Sequence, residues 1–393
     1  MLKKSKLVVA LAAVALVAST APAAPAAGNL EIFTWWASGG EALGLAGMTT
    51  EFTNKNPDTT FVNASVAGAA GTNAKGVLVS RMEAGNPPDT FQAHAGAELS
   101  SYVKAGQLED LTSLYKSEGW DKVFPAGLIK TLTTKGKIYS VPVNIHRANV
   151  LWWNPAAAKK AGITKAPATL DEFFADLEKF KKAGVTGLAL AGKGDWAIAH
   201  LLDWMLLASM GADKFEGLYN GSTSWTGPEV AAAIKNFQKA LSYGNKGAGN
   251  LDWPDAGKLV TSGKAGFFIM GDWASAQWQS DGLKLGTDYT FAAAPGTVGI
   301  YQWLSDSFTL PVGAPHRNAA IAWLKVCGSQ AGQDAFNPKK GSISARTDAD
   351  LSLYDDYLKS ASADWSKDRL VGSTVRGVNG NNAHMAAYSA AVG

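Results

Sequence analysis

The residues of this sequence best placed to do chemistry are tryptophans that stand beside short polar side chains at the ends of apolar runs. Trp35 and Trp36 close the run "NLEIFTWW" and are followed by Ser38 and Glu41. Gln92 and His94 stand two apart in "PDTFQAH", so on a strand they project from one face. "LDWPDAG" supplies Trp253, "GKAGFFIMGDWAS" supplies Asp272 and Trp273, "LSDSF" supplies Asp306 and "NPKKGSISAR" supplies Lys340. Together they complement a pyranose: an aromatic plane covers its apolar C–H face, and Asp, Lys, Gln and His meet its rim of hydroxyls, the ionised partners giving the stronger bonds. Plainer readings stand beside this one. A single Trp is more often a core residue, Gln92 and His94 can satisfy backbone groups at a strand end, and Asp272 can be a turn residue. Trp120, Trp152, Trp153, Trp204 and Trp323 are read as core or lobe-surface rings.

Other chemistries find less support. The five histidines (His94, His146, His200, His316, His384) lack ligand spacing. "GLALAGKG" approaches a phosphate loop, but Gly194 follows Lys193 where a magnesium-binding hydroxyl belongs, and its apolar interior reads as a buried strand. Cys327 is the single cysteine, in an apolar helical stretch, which excludes an internal disulfide and fits a buried small hydrophobe. Glycoside hydrolysis remains a runner-up. It needs two carboxylates facing one bond, one of them held protonated, and spacing does not say which of Glu41, Asp252, Asp272 and Asp306 converge.

These residues must be positioned by a chain of 393 residues, more than one hydrophobic core usually organises, so two domains are expected. Residues 1–27 put Lys3, Lys4 and Lys6 ahead of an apolar run from Leu7 to Ala18, then small residues and prolines, the pattern of a secretory signal peptide. The run is too short to span a bilayer, which takes about 20 residues. Cleavage near Ala26 or Ala27 leaves 33 basic residues against 33 acidic, a neutral chain with no electrostatic call for nucleic acid or an anionic membrane. Next come "NLEIFTWW" as strand, "EALGLAGMTTEFTNKN" as helix, "TTFVNASV" as strand, "GTNAKGVLVSRMEAGN" as helix and "PDTFQAH" as strand, an alternation that predicts an α/β domain of parallel strands with ligand loops at their carboxyl ends. Thr169 and Glu172 predict a capped helix ended by Gly184, and Thr226 with Glu229 repeats that grammar. "GKIYSVPVNIHRANVLWWNP" and "YQWLSDSFTLPVG" read as extended segments crossing between two regions.

At these residues the chain resembles the periplasmic sugar-binding proteins of ABC importers, and within them the glucose/galactose-binding group. The likeness runs in order through "IFTWWASGGEA", "GNPPDTFQAHAG", "EDLTSLYKSEGW", "YSVPVNIHRANVLWWNP", "GKAGFFIMGDWA", "LSDSFTLP" and "FNPKKGSISAR". It implies a two-lobed α/β fold with a ligand cleft and a multi-strand hinge: a first lobe of 28–140 plus 306–345, and a second of 147–300 plus 350–393. The implied sugar contacts are Trp35, Trp36, Gln92, His94, Trp253, Trp273, Asp306 and Lys340. Trp273 is expected to stack the ring, with Trp35 and Trp36 forming a cleft wall in which one borders the sugar and the other buttresses the loop. Trp303 is a further aromatic that could line the pocket. Arg376 stands where similar glucose binders carry a histidine contact, and as a longer, charged fork it would narrow the cleft, shift specificity or turn outward. The chain also ends at "AAYSAAVG", before the family's usual helical end, which implies a truncation. The function implied is capture without chemistry: a periplasmic monomer closes on a monosaccharide, glucose and/or galactose, and the closed form meets a membrane permease, with no cofactor and no metal. A disaccharide such as maltose or trehalose is the alternative ligand.

Overall fold

The computed structural model describes residues 28–68 and 71–392; the expected signal peptide, residues 1–27, lies outside the described residues. The chain folds into two α/β lobes. One is built on a five-stranded sheet in the order Thr59–Ser65, Gly28–Thr34, Thr90–His94, Asp306–Thr309, Ser140–Pro142. The other is built on a four-stranded sheet in the order Thr290–Ala293, Val150–Trp153, Ala265–Ile269, Thr186–Leu188. Near the crossing a three-stranded sheet joins Arg369–Gly372, Ile300–Leu304 and His146–Arg147. No helix among the described residues is long and apolar enough to cross a membrane.

The expected parallel pattern holds where strands alternate with helices: Gly28–Thr34 pairs in parallel with Thr59–Ser65 and with Thr90–His94. The strand Asp306–Thr309 runs antiparallel to Thr90–His94, with Asp306 directly opposite His94. A segment returning from the other lobe enters this sheet at the cleft end, so its first residue meets the last residue of its neighbour. Helix Leu170–Lys182 carries the capping box read from sequence, Thr169 and Glu172 each accepting the other's backbone N–H. The second expected box does not form. Helix Pro228–Leu241 is capped at Gly227 because Pro228, with its fixed φ and missing N–H, takes the first helical position, and the Thr226 hydroxyl pairs with Ser224 instead. Trp120, Trp152, Trp204 and Trp323 are buried, and Trp153 is half-buried. "GLALAGKG" begins in the buried strand Thr186–Leu188, and Cys327 is fully buried.

Two features hold the cleft end of the first lobe. Helix Gly39–Lys55 lies against helix Gln330–Lys340 through Gly40, Gly44 and Gly47, three buried positions on one helical face. A Cβ on Gly47 would sit 2.4 Å from the backbone oxygen of Ala335. Just past strand Thr90–His94, the buried Glu98 carboxylate accepts from Lys75 Nζ at 2.7 Å and from the backbone N–H of His94 at 3.3 Å, and faces His94 Nδ1 at 2.7 Å. Burial alone would raise its pKa, but Lys75 and His94 outweigh this and hold it at about 2.

Gly47→Ala is therefore expected to lower the melting temperature by several degrees. Overpacking against a fixed carbonyl costs about 1–3 kcal/mol, more than the roughly 1 kcal/mol of helix propensity gained. An unchanged or higher melting temperature would refute the close approach. For Glu98 the folded pKa lies below the unfolded one. Its stabilisation, on the order of 3 kcal/mol, is present above about pH 4 and is lost as pH falls toward 2. Glu98→Gln should lower the melting temperature at pH 7 far more than at pH 2.5; equal losses at both would remove the buried ion pair from the account.

Candidate ligand-binding site

Side chains from both lobes converge in the cleft. Trp35, Glu41, His94, Asp306 and Lys340 come from the first lobe, Trp253, Trp273 and Arg376 from the second, and His146 and Leu304 from the crossing segments. The lobes are shut: a Cβ on Gly40 would come within 2.6 Å of the Ala276 Cβ, and one on Gly341 within 2.7 Å of the same atom. Between them remains a cavity of about 30 Å³. A larger cavity, about 570 Å³, lies on the other face of strand Ile300–Leu304, where Trp303 lines it beside Trp365. Adjacent strand residues face opposite ways, so Leu304 and not Trp303 looks into the cleft. The larger cavity's Arg346 is already spent on Asp348 and the carbonyl of Gly328. Converging, unspent polar groups belong to the cleft.

Asp306 stands at the centre. Its Oδ1 accepts from Gln92 Nε2 at 2.9 Å and its Oδ2 from Asn144 Nδ2 at 2.9 Å, while its own N–H donates to Asn144 Oδ1 at 2.7 Å. Burial would raise its pKa, but the nearby His146 and the charges of Lys340 and His94 hold it well below the usual carboxylate range. His146 is fixed by its Nδ1 against Asp272 Oδ1, and Asp272 Oδ2 accepts the N–H of Arg147 at 2.8 Å. Burial lowers the His146 pKa and Asp272 more than restores it, so the imidazole holds its proton more tightly than usual. Its Nε2 sits 3.4 Å from Asp306 Oδ2 and has no good hydrogen-bond partner.

Trp35 and Trp36 part company just past the end of strand Gly28–Thr34. Trp35 lines the cleft, its ring 5.2 Å from that of His94 and packed on Gly71, which has φ +97° and whose Cβ would lie 2.8 Å from the indole. Trp36 is fully buried between Phe308 and Phe336. Gln92 does not line the cleft either. Its Oε1 accepts from the hydroxyl of Thr34 and the N–H of Trp35, and its amide aims Asp306. Lys340, buried, reaches Glu41 at 3.3 Å. Trp253 begins helix Trp253–Thr261, whose cap is Asp252.

Around Arg376 the second lobe supplies residues that sequence reasoning missed. Its guanidinium lies 4.9 Å from the ring centre of Trp273 and 4.2 Å from that of Trp196, and burial lowers its pKa to about 10. Trp196, His200 and Asp203 share one face of helix Trp196–Met210. His200, its pKa pushed down to about 3 by burial and by Arg376, stands 5.9 Å from Trp273. Asp203, raised to about 7 by burial, accepts from Ser373 Oγ at 2.8 Å, Thr374 N–H at 3.1 Å and Gln302 Nε2 at 3.0 Å, and so fixes the turn that delivers Arg376. The spacing 196, 200, 203 was the available signal, but this helix is buried almost all round and the polar residues do not stand out.

The carboxylates facing the cleft are paired: Glu41 with Lys340 and Asp306 with its amides and His146. Asp272 is taken by His146 and Asp252 by a helix N-terminus. A hydrolytic pair needs one carboxyl kept protonated, and Asp306, at the centre of the cleft, is held the other way. The arrangement sets polar groups between aromatic walls, where they can hold a polar molecule.

Residues 36–334 match the family described as bacterial extracellular solute-binding protein. An uncharacterized ABC transporter extracellular-binding protein of Pyrococcus horikoshii is 38% identical over 333 residues, 84% of this chain and 75% of that protein. A probable sugar-binding periplasmic protein of Brucella suis is 36% identical over 356 residues, 89% of this chain and 83% of the relative. Among solved structures, a bacterial solute receptor described as preferring β-D-galactopyranose superposes with a TM-score of 0.78 over 89% of each chain at 20% identity, a likeness of fold. The chain belongs to the bacterial extracellular solute-binding protein family, and its work is to bind a solute, not to react with it.

Proposed function

We propose that this protein captures a monosaccharide, glucose and/or galactose, by closing its lobes upon it in the periplasm, and presents the closed form to the permease of an ABC importer. The observation that carries this reading is the meeting, in one closed cleft, of aromatic walls with the acceptor Asp306 and the donors Lys340 and Arg376. That pattern complements the faces and rim of a pyranose. The Brucella suis relative, a probable sugar-binding periplasmic protein, supports a sugar, and the galactopyranose receptor of the same fold is in keeping with a single ring.

In this reading the lobes are 28–140 plus 306–345 and 147–300 plus 350–393, the signal peptide is removed near Ala26 or Ala27, and the protein works as a monomer. Trp35, Trp253 and Trp273 wall the sugar, and Asp306, Lys340, His94 and Arg376 meet its hydroxyls. Trp36 and Gln92 act one layer back, holding the loop and Asp306. Contacts the second lobe makes only when shut supply the differential affinity that drives closure.

Titration of tryptophan fluorescence and melting temperature with glucose, galactose, mannose, xylose, maltose and trehalose tests this. A ligand at one hundred times its Kd stabilises by about 2.7 kcal/mol, so glucose or galactose should raise the melting temperature by several degrees. A response to maltose or trehalose alone would overturn the monosaccharide reading. Asp306→Asn and Trp273→Ala should each weaken binding of the responding sugar at least about tenfold, the scale of a lost charged hydrogen bond or aromatic contact. Unaltered affinity in either would remove that residue from the site.

A further inference from the structure

Arg376 is buried, points into the cleft, and makes no hydrogen bond or ion pair among the described residues; its Nε is enclosed without a partner. The other cations at the cleft are met: Lys340 by Glu41, Lys75 by Glu98 and His146 by Asp272. Arg376 is nonetheless held firmly, between the rings of Trp196 and Trp273 and on the turn that Asp203 fixes. A permanent charge kept dry, pre-aimed and unpaired is costly to the free protein, and that cost is relieved when a ligand supplies acceptors.

The charge balance says which acceptors. Once the pairs above are set aside, Asp306 and Arg376 remain, one from each lobe, and Asp306 is the leading attractive charge felt by Arg376. The pocket is then neutral overall, so a ligand bearing its own charge leaves an unbalanced ion. Asp306 uses one acceptor site on each oxygen for Gln92 and Asn144 and has others free. A hydroxyl serves both sides, donating to the carboxylate and accepting from the guanidinium. The planar guanidinium fork fits two neighbouring oxygens better than one.

We propose that Arg376 is the specificity-determining residue of the second lobe: its guanidinium grips two adjacent oxygens of a neutral sugar that Asp306 holds from the first lobe, and sugar acids are rejected. This rests on the sugar-binding reading and narrows it. Calorimetry on the wild-type protein, Arg376→Gln and Arg376→Lys tests it, with D-glucose and D-galactose, their monodeoxy derivatives, D-glucuronate and D-galacturonate as probes. For the better-binding parent hexose, removal of one of the gripped hydroxyls should cost on the order of 10- to 100-fold in the wild type and less than about threefold in Arg376→Gln. Arg376→Lys, which keeps the charge without the fork, should fall between them, and each uronate should bind the wild type at least about tenfold more weakly than its parent.

The proposal is overturned if Arg376→Gln binds the parent sugar as tightly as the wild type, or if every deoxy sugar loses equally in both proteins. It is overturned too by a uronate that binds as well as its hexose. Melting temperatures report whether each variant is folded, and the deoxy comparison can be read in Arg376→Lys if the Gln protein is not. If the wild type binds no sugar at all, the sugar-binding reading itself falls, and this proposal with it.

Discussion

The structure turns on one buried carboxylate. Asp306 sits where the two crossing segments run side by side, and an ionised group there is tolerated only because every neighbour is committed to it. Asn144 closes a reciprocal pair with its side chain and its backbone N–H, which ties the outward crossing segment to the returning one. Gln92 reaches it diagonally across the antiparallel register and is itself aimed by Thr34 and Trp35. His146 then links it to Asp272, a residue of the second lobe. Satisfying this charge thus fixes the strand register, the crossing and the relation of the lobes in one network.

That network also makes the cleft usable. The first lobe presents an acceptor whose orientation cannot drift, because amides on both sides hold its oxygens. The second lobe presents a donor, Arg376, whose orientation is set by rings and a turn and not by any ion pair. Glycines at 39, 40 and 341 let backbone press directly on helix Trp273–Ser280, so the two groups approach each other as the lobes meet. A side chain at those positions would hold the lobes apart before the polar groups met.

Much of this was legible in the chain, and the failures share a cause. The Thr169 box and the burial of Cys327 follow from local rules about caps and polarity. Thr226 failed because Pro228 imposed a stronger local rule. Gln92 was found as a polar residue at a strand end, yet its partner lies 214 positions away and no spacing reveals it. His146 looked like one of five scattered histidines because its two carboxylates come from distant segments. Trp303 was a plausible cleft ring until the register of its strand turned Leu304 inward and Trp303 to the far side. Local chemistry is written locally, whereas the aim of a side chain in a two-lobed protein is set by where the chain returns.

The same residues explain why a cleft rich in acids and tryptophans binds without reacting. General acid catalysis on a glycosidic bond needs a carboxyl whose surroundings keep its proton near neutral pH. Burial pushes the Asp306 carboxyl that way, but the neighbouring His146, Lys340 and His94 overturn the push. The buried acid that does remain raised, Asp203, is turned toward the turn at Ser373 and Thr374 and works on the protein's own backbone. Stable ion pairs suit a binding site, because they present a fixed pattern of donors and acceptors and return unchanged when the ligand leaves. The distinction between a sugar binder and a sugar hydrolase thus lies less in which residues line the cleft than in which of them is left unpaired: among the described residues here it is a cation, Arg376, which can grip an oxygen but has no proton it readily gives up.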